Sequence, residues 1–171
     1  MRSKNRSFAA VAILLGLFIG CKSSRMSQTE TNINVVHRFN EALNTFNYDL
    51  FDELMKPDFV RHCQASGDPQ IRSREEYKLY YQEFVKAFPD AHTTNHFLFA
   101  EGDKVAAYAT LTGTQKGPFG SLPASEKKIK SDFIGILRME EGKIAEIWVE
   151  WDNLAILTQL GYYPPPAKGE E

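Results

Sequence analysis

Glu101-Gly102-Asp103-Lys104-Val105-Ala106-Ala107-Tyr108-Ala109-Thr110-Leu111-Thr112 is the stretch that decides the fold. It opens on a hairpin-turn signal and then alternates. Val105, Ala107, Ala109 and Leu111 fall on one side, and Tyr108, Thr110 and Thr112 on the other. A sustained period of two marks a strand with one buried face. Upstream, His92 to Ala100 alternates in the same way with Phe97 and Phe99 on one side, so the turn joins two antiparallel strands. Downstream, a loop from Gly117 to Ser125 holds Pro118, Gly120 and Pro123 and leads to a third strand, Ile129 to Met139. Glu140-Glu141-Gly142 turns again, and Lys143 to Asp152 is the fourth. A last short helix carries Leu154, Ile156, Leu157 and Leu160 and stops at Gly161.

Before this region the period is helical. Ile33, Val36, Phe39, Leu43 and Phe46 recur every three or four residues. Asp49 is placed to cap a short helix over Leu50, Phe51, Leu54 and Met55 that Pro57 closes. Phe59 to His62 reads as a brief strand. Ser73 with Glu76 makes a capping box, after which Tyr77, Tyr80, Tyr81, Phe84 and Phe88 run at helical spacing to Pro89. Helices followed by an antiparallel meander predict an α+β domain with helices packed on one face of a curved sheet.

The N-terminus says where the protein works. Arg2, Lys4 and Arg6 precede a charge-free apolar run of 13 residues, Phe8 to Gly20, whereas a bilayer span takes roughly 20. The run therefore reads as the core of an export signal. Leu17-Phe18-Ile19-Gly20-Cys21 resembles the lipobox of bacterial lipoproteins, which implies lipidation at Cys21, removal of residues 1–20 and an envelope location on either membrane. An ordinary signal peptide beside a chance cysteine is the alternative. Loss of the three N-terminal bases takes the net charge from −2 to −5, which removes any general attraction for nucleic acid or anionic headgroups. Cys63 is then the only other cysteine, so no intrachain disulfide is expected. Residues 21–30 read as lipidated cysteine and flexible tether, 31–161 as the domain, and 162–171, with Pro164-Pro165-Pro166, as a tail.

The quoted strands belong to a longer series of motifs. These are Phe39-Asn40-Glu41, Pro57-Asp58-Phe59-Val60 with His62, Phe88-Pro89-Asp90, Thr112-Gly113-Thr114 and Gly117-Pro118-Phe119-Gly120. Gly142-Lys143-Ile144, Trp148, Trp151-Asp152 and Gln159-Leu160-Gly161 complete it. In this order and spacing, over about residues 31 to 161, the chain resembles the SnoaL-like polyketide cyclase and ester cyclase branch of the nuclear-transport-factor-2-like superfamily. The resemblance implies a cone-shaped, cystatin-like α+β barrel around a pocket, often dimeric through the sheet. It also implies acid–base chemistry without metal or cofactor, carried by a carboxylate and sometimes a histidine. Other members only bind ligands or partners.

Ungapped spacing places the family's acid–base aspartate on Val149 and its partner histidine on Gly135. Strand parity puts Phe133, Gly135 and Leu137 on one face and Ile147, Val149 and Trp151 on one face of the neighbouring strand. Glu150 reaches the pocket only through a bulge. His62 is the other candidate for catalysis or substrate contact, since imidazole titrates near pH ~6.5; a satisfied strand-end histidine explains it equally well. Asp152 is explained by capping the last helix. On a strand His92 and His96 are separated by roughly 13 Å, which disfavours a metal site. Neighbours His62 and Cys63 point to opposite faces, which disfavours a nucleophile–base pair. Tyr81, Phe84, Phe88, Val149 and Trp151 are expected to wall the pocket around a small apolar or aromatic ligand. The expectation is an exported, lipid-anchored homodimer that binds such a molecule, probing three alternatives: a binder without catalysis, an active cyclase, isomerase or hydrolase using His62 with Glu150 or Asp152, or an interaction module without ligand.

Overall fold

The computed structural model describes residues 26–64 and 70–164. Its elements run α1 (Gln28–Asn44), α2 (Asp49–Leu54), β1 (Met55–His62), α3 (Arg74–Ala87), β2 (His92–Glu101), β3 (Lys104–Thr114), β4 (Lys128–Glu140), β5 (Lys143–Trp151) and α4 (Asn153–Leu160). The α+β class is as expected. The sheet is mixed rather than purely antiparallel: in the order β1-β5-β4-β3-β2, β1 joins β5 in parallel and every other pair is antiparallel.

Local chemistry sets the helix ends. Ser27 Oγ accepts from the Glu30 N–H at 3.2 Å, and the Ser27 N–H donates to Glu30 Oε2 at 2.7 Å, a complete capping box. Gln28 to Glu30, expected in the tether, are therefore the first turn of α1. Asp49 lies inside the first turn of α2, whose N-cap is Tyr48 without a side-chain bond. That helix ends at Leu54, and Met55 to His62 is one strand, longer than expected. Pro57 sits within it because β1 is an edge strand, where a missing N–H costs little. At α3 only half the predicted box forms: Ser73 caps Glu76, but the Glu76 carboxylate accepts from the Arg72 N–H at 2.7 Å. Asp152 caps α4 through the Ala155 N–H at 2.9 Å.

The inner face of the sheet carries the core. Val105, Ala107, Ala109 and Leu111 are buried there, opposite Leu137, Gly135, Phe133 and Ser131 of β4. Phe39 of α1 and Tyr77, Tyr81 and Phe84 of α3 pack against it. Three irregularities interrupt the described strands: one at His96, between Asn95↔Ala109 and Phe97↔Tyr108, a second at Ala145, between Met139↔Ile144 and Arg138↔Glu146, and a third in β1, between Met55↔Ile144 and Val60↔Glu146. The second buries Ile144 and Ala145 in succession and restores regular alternation before Ile147. Tyr162, read as the start of a tail, docks instead: its hydroxyl donates to Gln115 Oε1 at 3.1 Å and to the Pro123 carbonyl.

Candidate functional site

Burial of the α3 stripe and the inner strands leaves an open cleft of about 950 Å³. Tyr80 and Phe84 of α3 with Phe88 at its C-cap form one wall, Phe119 and Leu122 of the β3–β4 loop another, and Trp151 of β5 and Ile156 of α4 also line it. Phe84 and Phe88 stack at 5.1 Å between ring centroids, and Phe119 meets both edge-on at 5.9 and 5.7 Å. The loop is held close to α3, because the N–H groups of Lys116 and Gly117 both donate to the Ala87 carbonyl, at 2.8 and 3.2 Å. Gly117 permits this approach: a Cβ there would lie 2.7 Å from the Lys86 carbonyl oxygen.

A smaller recess of about 70 Å³ adjoins the cleft and shares Tyr80, Phe84, Leu111 and Trp151 with it. Val149, Ile147 and Phe133 of the sheet, Thr93 of β2 and the phenols of Tyr77 and Tyr81 close it. Burial pushes the Tyr77 phenol up to about 12, and it pushes the Tyr81 phenol up as well. The Tyr81 hydroxyl donates to the Leu43 carbonyl at 3.3 Å. The charged group of the recess among the described residues is Arg61, which is 6% exposed, with its guanidinium carbon 4.9 Å from the Tyr80 ring centroid and 5.5 Å from that of Trp151.

Of the residues expected at the pocket, the structure places Tyr81, Phe84, Phe88, Val149 and Trp151 on its walls. Val149 and Gly135 are direct cross-strand partners on the inner face. His62 and Glu150 are elsewhere. His62 is on the outer face, stacked on Trp148 at 4.8 Å with the rings 7° from parallel, and its Nε2 is 2.9 Å from Glu146 Oε2. Bonds from His62 and then Arg138 hold the Glu146 carboxyl below the usual range. Glu150 is exposed beside Ile134 on the same outer face, because the bulge at Ala145 precedes it and leaves its parity unchanged. His62 and Glu150 therefore do not form a site together.

Arg61 was missed by one position. Phe59 is fully buried in β1, so Arg61, two residues on, shares its inward face while His62 turns outward. The apolar character of Phe59 was the available signal. Among the described residues no group of three His, Cys, Asp or Glu side chains is placed to hold a metal ion. Cys21 lies outside the described residues.

Residues 33–160 match the family model described as SnoaL-like polyketide cyclase. The chain is 27% identical over 141 residues to aklanonic acid methyl ester cyclase DnrD of Streptomyces peucetius, covering 81% of this chain and 97% of that one. It is similar to a solved structure of a candidate polyketide cyclase from Bacillus cereus ATCC 10987, with 33% identity, a TM-score of 0.65, and 80% and 85% of the two chains covered. A candidate SnoaL-like polyketide cyclase from Jannaschia sp. CCS1 shares the fold with a TM-score of 0.73 at 23% identity, over 82% and 99% of the chains.

Proposed function

The chain belongs to the SnoaL-like polyketide cyclase family, and on that premise we propose that it binds a small apolar or aromatic molecule in the cleft without the family's acid–base step. The observation that carries this is the pair Gly135 and Val149, which leaves the inner floor without a proton carrier. The described residues lining the recess include no Asp, Glu or His. Burial pushes the Tyr77 and Tyr81 phenols up, away from neutrality, and guanidinium stays charged at any physiological pH. Such a recess holds and orients a ligand but does not exchange a proton near neutrality.

The open cleft favours ligand binding over an interaction module with a sealed core. The alternative of an active acid–base enzyme draws support from DnrD, which is named for a cyclase activity. Its carboxylate would have to come from Glu76 or Glu83 at the exposed edge of the cleft, since His62 and Glu150 lie on the outer face and Asp152 caps α4. The basic start, the short apolar run and Gly20-Cys21 support export and lipid anchoring at Cys21. The exposed apolar outer face of the sheet supports a homodimer.

Native mass spectrometry of the purified protein, followed by release and identification of what co-purifies, tests the central reading. A bound apolar or aromatic molecule recovered unchanged after incubation is expected. Its conversion to a new product, abolished by Glu76→Gln or Glu83→Gln, would establish the enzyme instead.

A further inference from the structure

The charged side chains lining the large cleft, among the described residues, are Glu76 and Glu83; no Lys, Arg or His joins them. The two lie on one face of α3, two turns apart, which is about 10 Å along the helix. Tyr80 stands between them on that face. The Glu76 carboxylate accepts from the Arg72 N–H at 2.7 Å, and Glu83 pairs with the exposed Lys86 at 2.5 Å. Arg61 belongs to the recess, with its guanidinium against the rings of Tyr80 and Trp151.

Beyond Tyr80 and Trp151, whose rings Arg61 already engages, the surface offers the π faces of Phe84, Phe88 and Phe119. An aromatic face is the negative pole of its quadrupole and attracts cations, most strongly where water is displaced. Two carboxylates at the edge of such a surface add attraction of the same sign. An anionic ligand would meet two like charges in the cleft and, among the described residues, no counter-charge on its lining. We propose that the cleft selects ligands with a protonated or quaternary amine on an aromatic or apolar body, the cation seated between Glu76 and Glu83 and the body against Phe84 and Phe88. The proposal rests on the cleft being the ligand site, and it names the charge class of what enters.

Three probes of one shape separate the terms: naphthylmethyl-trimethylammonium, naphthalenemethanol and naphthoate, titrated into the purified protein by calorimetry at low and high salt. The cation is expected to bind roughly three- to tenfold more tightly than the alcohol, with naphthoate weakest and the spread narrowing in high salt. In Glu76→Gln/Glu83→Gln the preference of the cation over the alcohol should collapse. Glu83→Gln alone, at an exposed helical position, should remove part of it and serves if the double variant does not fold. Naphthoate binding as well as the cation, or a cation preference untouched by the substitutions, would overturn the charge assignment while leaving the cleft as a ligand site. Failure of all three probes to bind would overturn both.

Discussion

Gly135 and Val149 face each other across β4 and β5 on the inner side of the sheet, and neither side chain carries a titratable proton. Val149 is 5% exposed and shares its recess with Ile147, Phe133 and Trp151. A carboxylate placed there would lose solvation, and burial disfavours its charged form. Val149→Asp should therefore fold with a raised aspartate pKa. A raised acid pKa makes the unfolded state release its proton first as pH rises, so the variant loses stability between the unfolded and folded pKa values. Chemical denaturation should show a deficit of about 3 kcal/mol near pH ~8, about half of it near pH ~5 and little of it near pH ~3. A deficit independent of pH would mean that position 149 does not face the apolar recess.

The inward and outward assignments on β1 predict unequal effects for neighbouring residues. Arg61 is buried against Tyr80 and Trp151, and a planar guanidinium stacks where an ammonium does not. Arg61→Lys is expected to cost about 1–2 kcal/mol and to alter ligand affinity. His62→Ala removes a half-exposed stack on Trp148 and a pair with Glu146 on the outer face, so it should cost no more than about 1 kcal/mol and leave ligand affinity unchanged. Urea melts and a ligand titration of both variants check this. A larger affinity loss in His62→Ala than in Arg61→Lys would reverse the assignment.

How much of this was legible in the sequence depended on whether local period recorded the environment. Val105 to Thr112 lie on an interior strand whose Val105, Ala107, Ala109 and Leu111 are all buried, so their apolar alternation was a faithful record even though Thr110 of the other face is buried as well. The Val36–Phe39 stripe of α1 and the Asp152 cap of α4 were legible for the same reason. β1 was not. Its parallel pairing with β5 joins segments far apart in sequence, and Pro57 looks like a helix stop until the strand is known to be an edge. The bulges at His96 and Ala145 leave no compositional trace. At the site the aromatic walls were legible as an apolar stripe. Arg61 was legible only through its parity with the buried Phe59, whereas the outward His62 beside it carries the side chain whose titration suits proton transfer. The rest of the candidate chemistry turned on parity, which a short strand with uncertain ends does not fix.

The N-terminal proposal makes an independent prediction. Arg2, Lys4 and Arg6, the apolar run to Gly20, and Cys21 are the observations behind it. Cys21→Ser should move the protein from the detergent phase to the aqueous phase in a phase-partition assay and leave the signal uncut by the lipoprotein peptidase. Lipid attachment at this residue makes the shift large, because each buried CH₂ of an acyl chain contributes about 0.8 kcal/mol to membrane affinity. Unchanged partitioning of the variant would remove the anchor from the account.

The outer face of the sheet predicts an assembly. Phe97 is 51% exposed, Phe99 68%, Ile134 57% and Ile136 40%, and Phe97 stacks on Tyr108 at 5.1 Å to make a continuous aromatic surface. Along β4 the outward series is Asp132, Ile134, Ile136, Arg138, an acid and a base flanking two isoleucines. Such a series is self-complementary under a two-fold axis near Gly135. The isoleucines of two copies would meet at the centre, and Asp132 of one would approach Arg138 of the other. Water-exposed apolar area of this extent gains from a partner, whereas Glu150 and the His62–Trp148 stack lie towards the β1 side of the same face. Sedimentation at micromolar concentration should therefore give a dimer for the parent protein. Ile134→Glu, which places two like charges beside the axis, should give a monomer while its already exposed position leaves the fold intact. A parent protein that sediments as a monomer would remove the dimer, and a variant that remains dimeric would move the contact off β4.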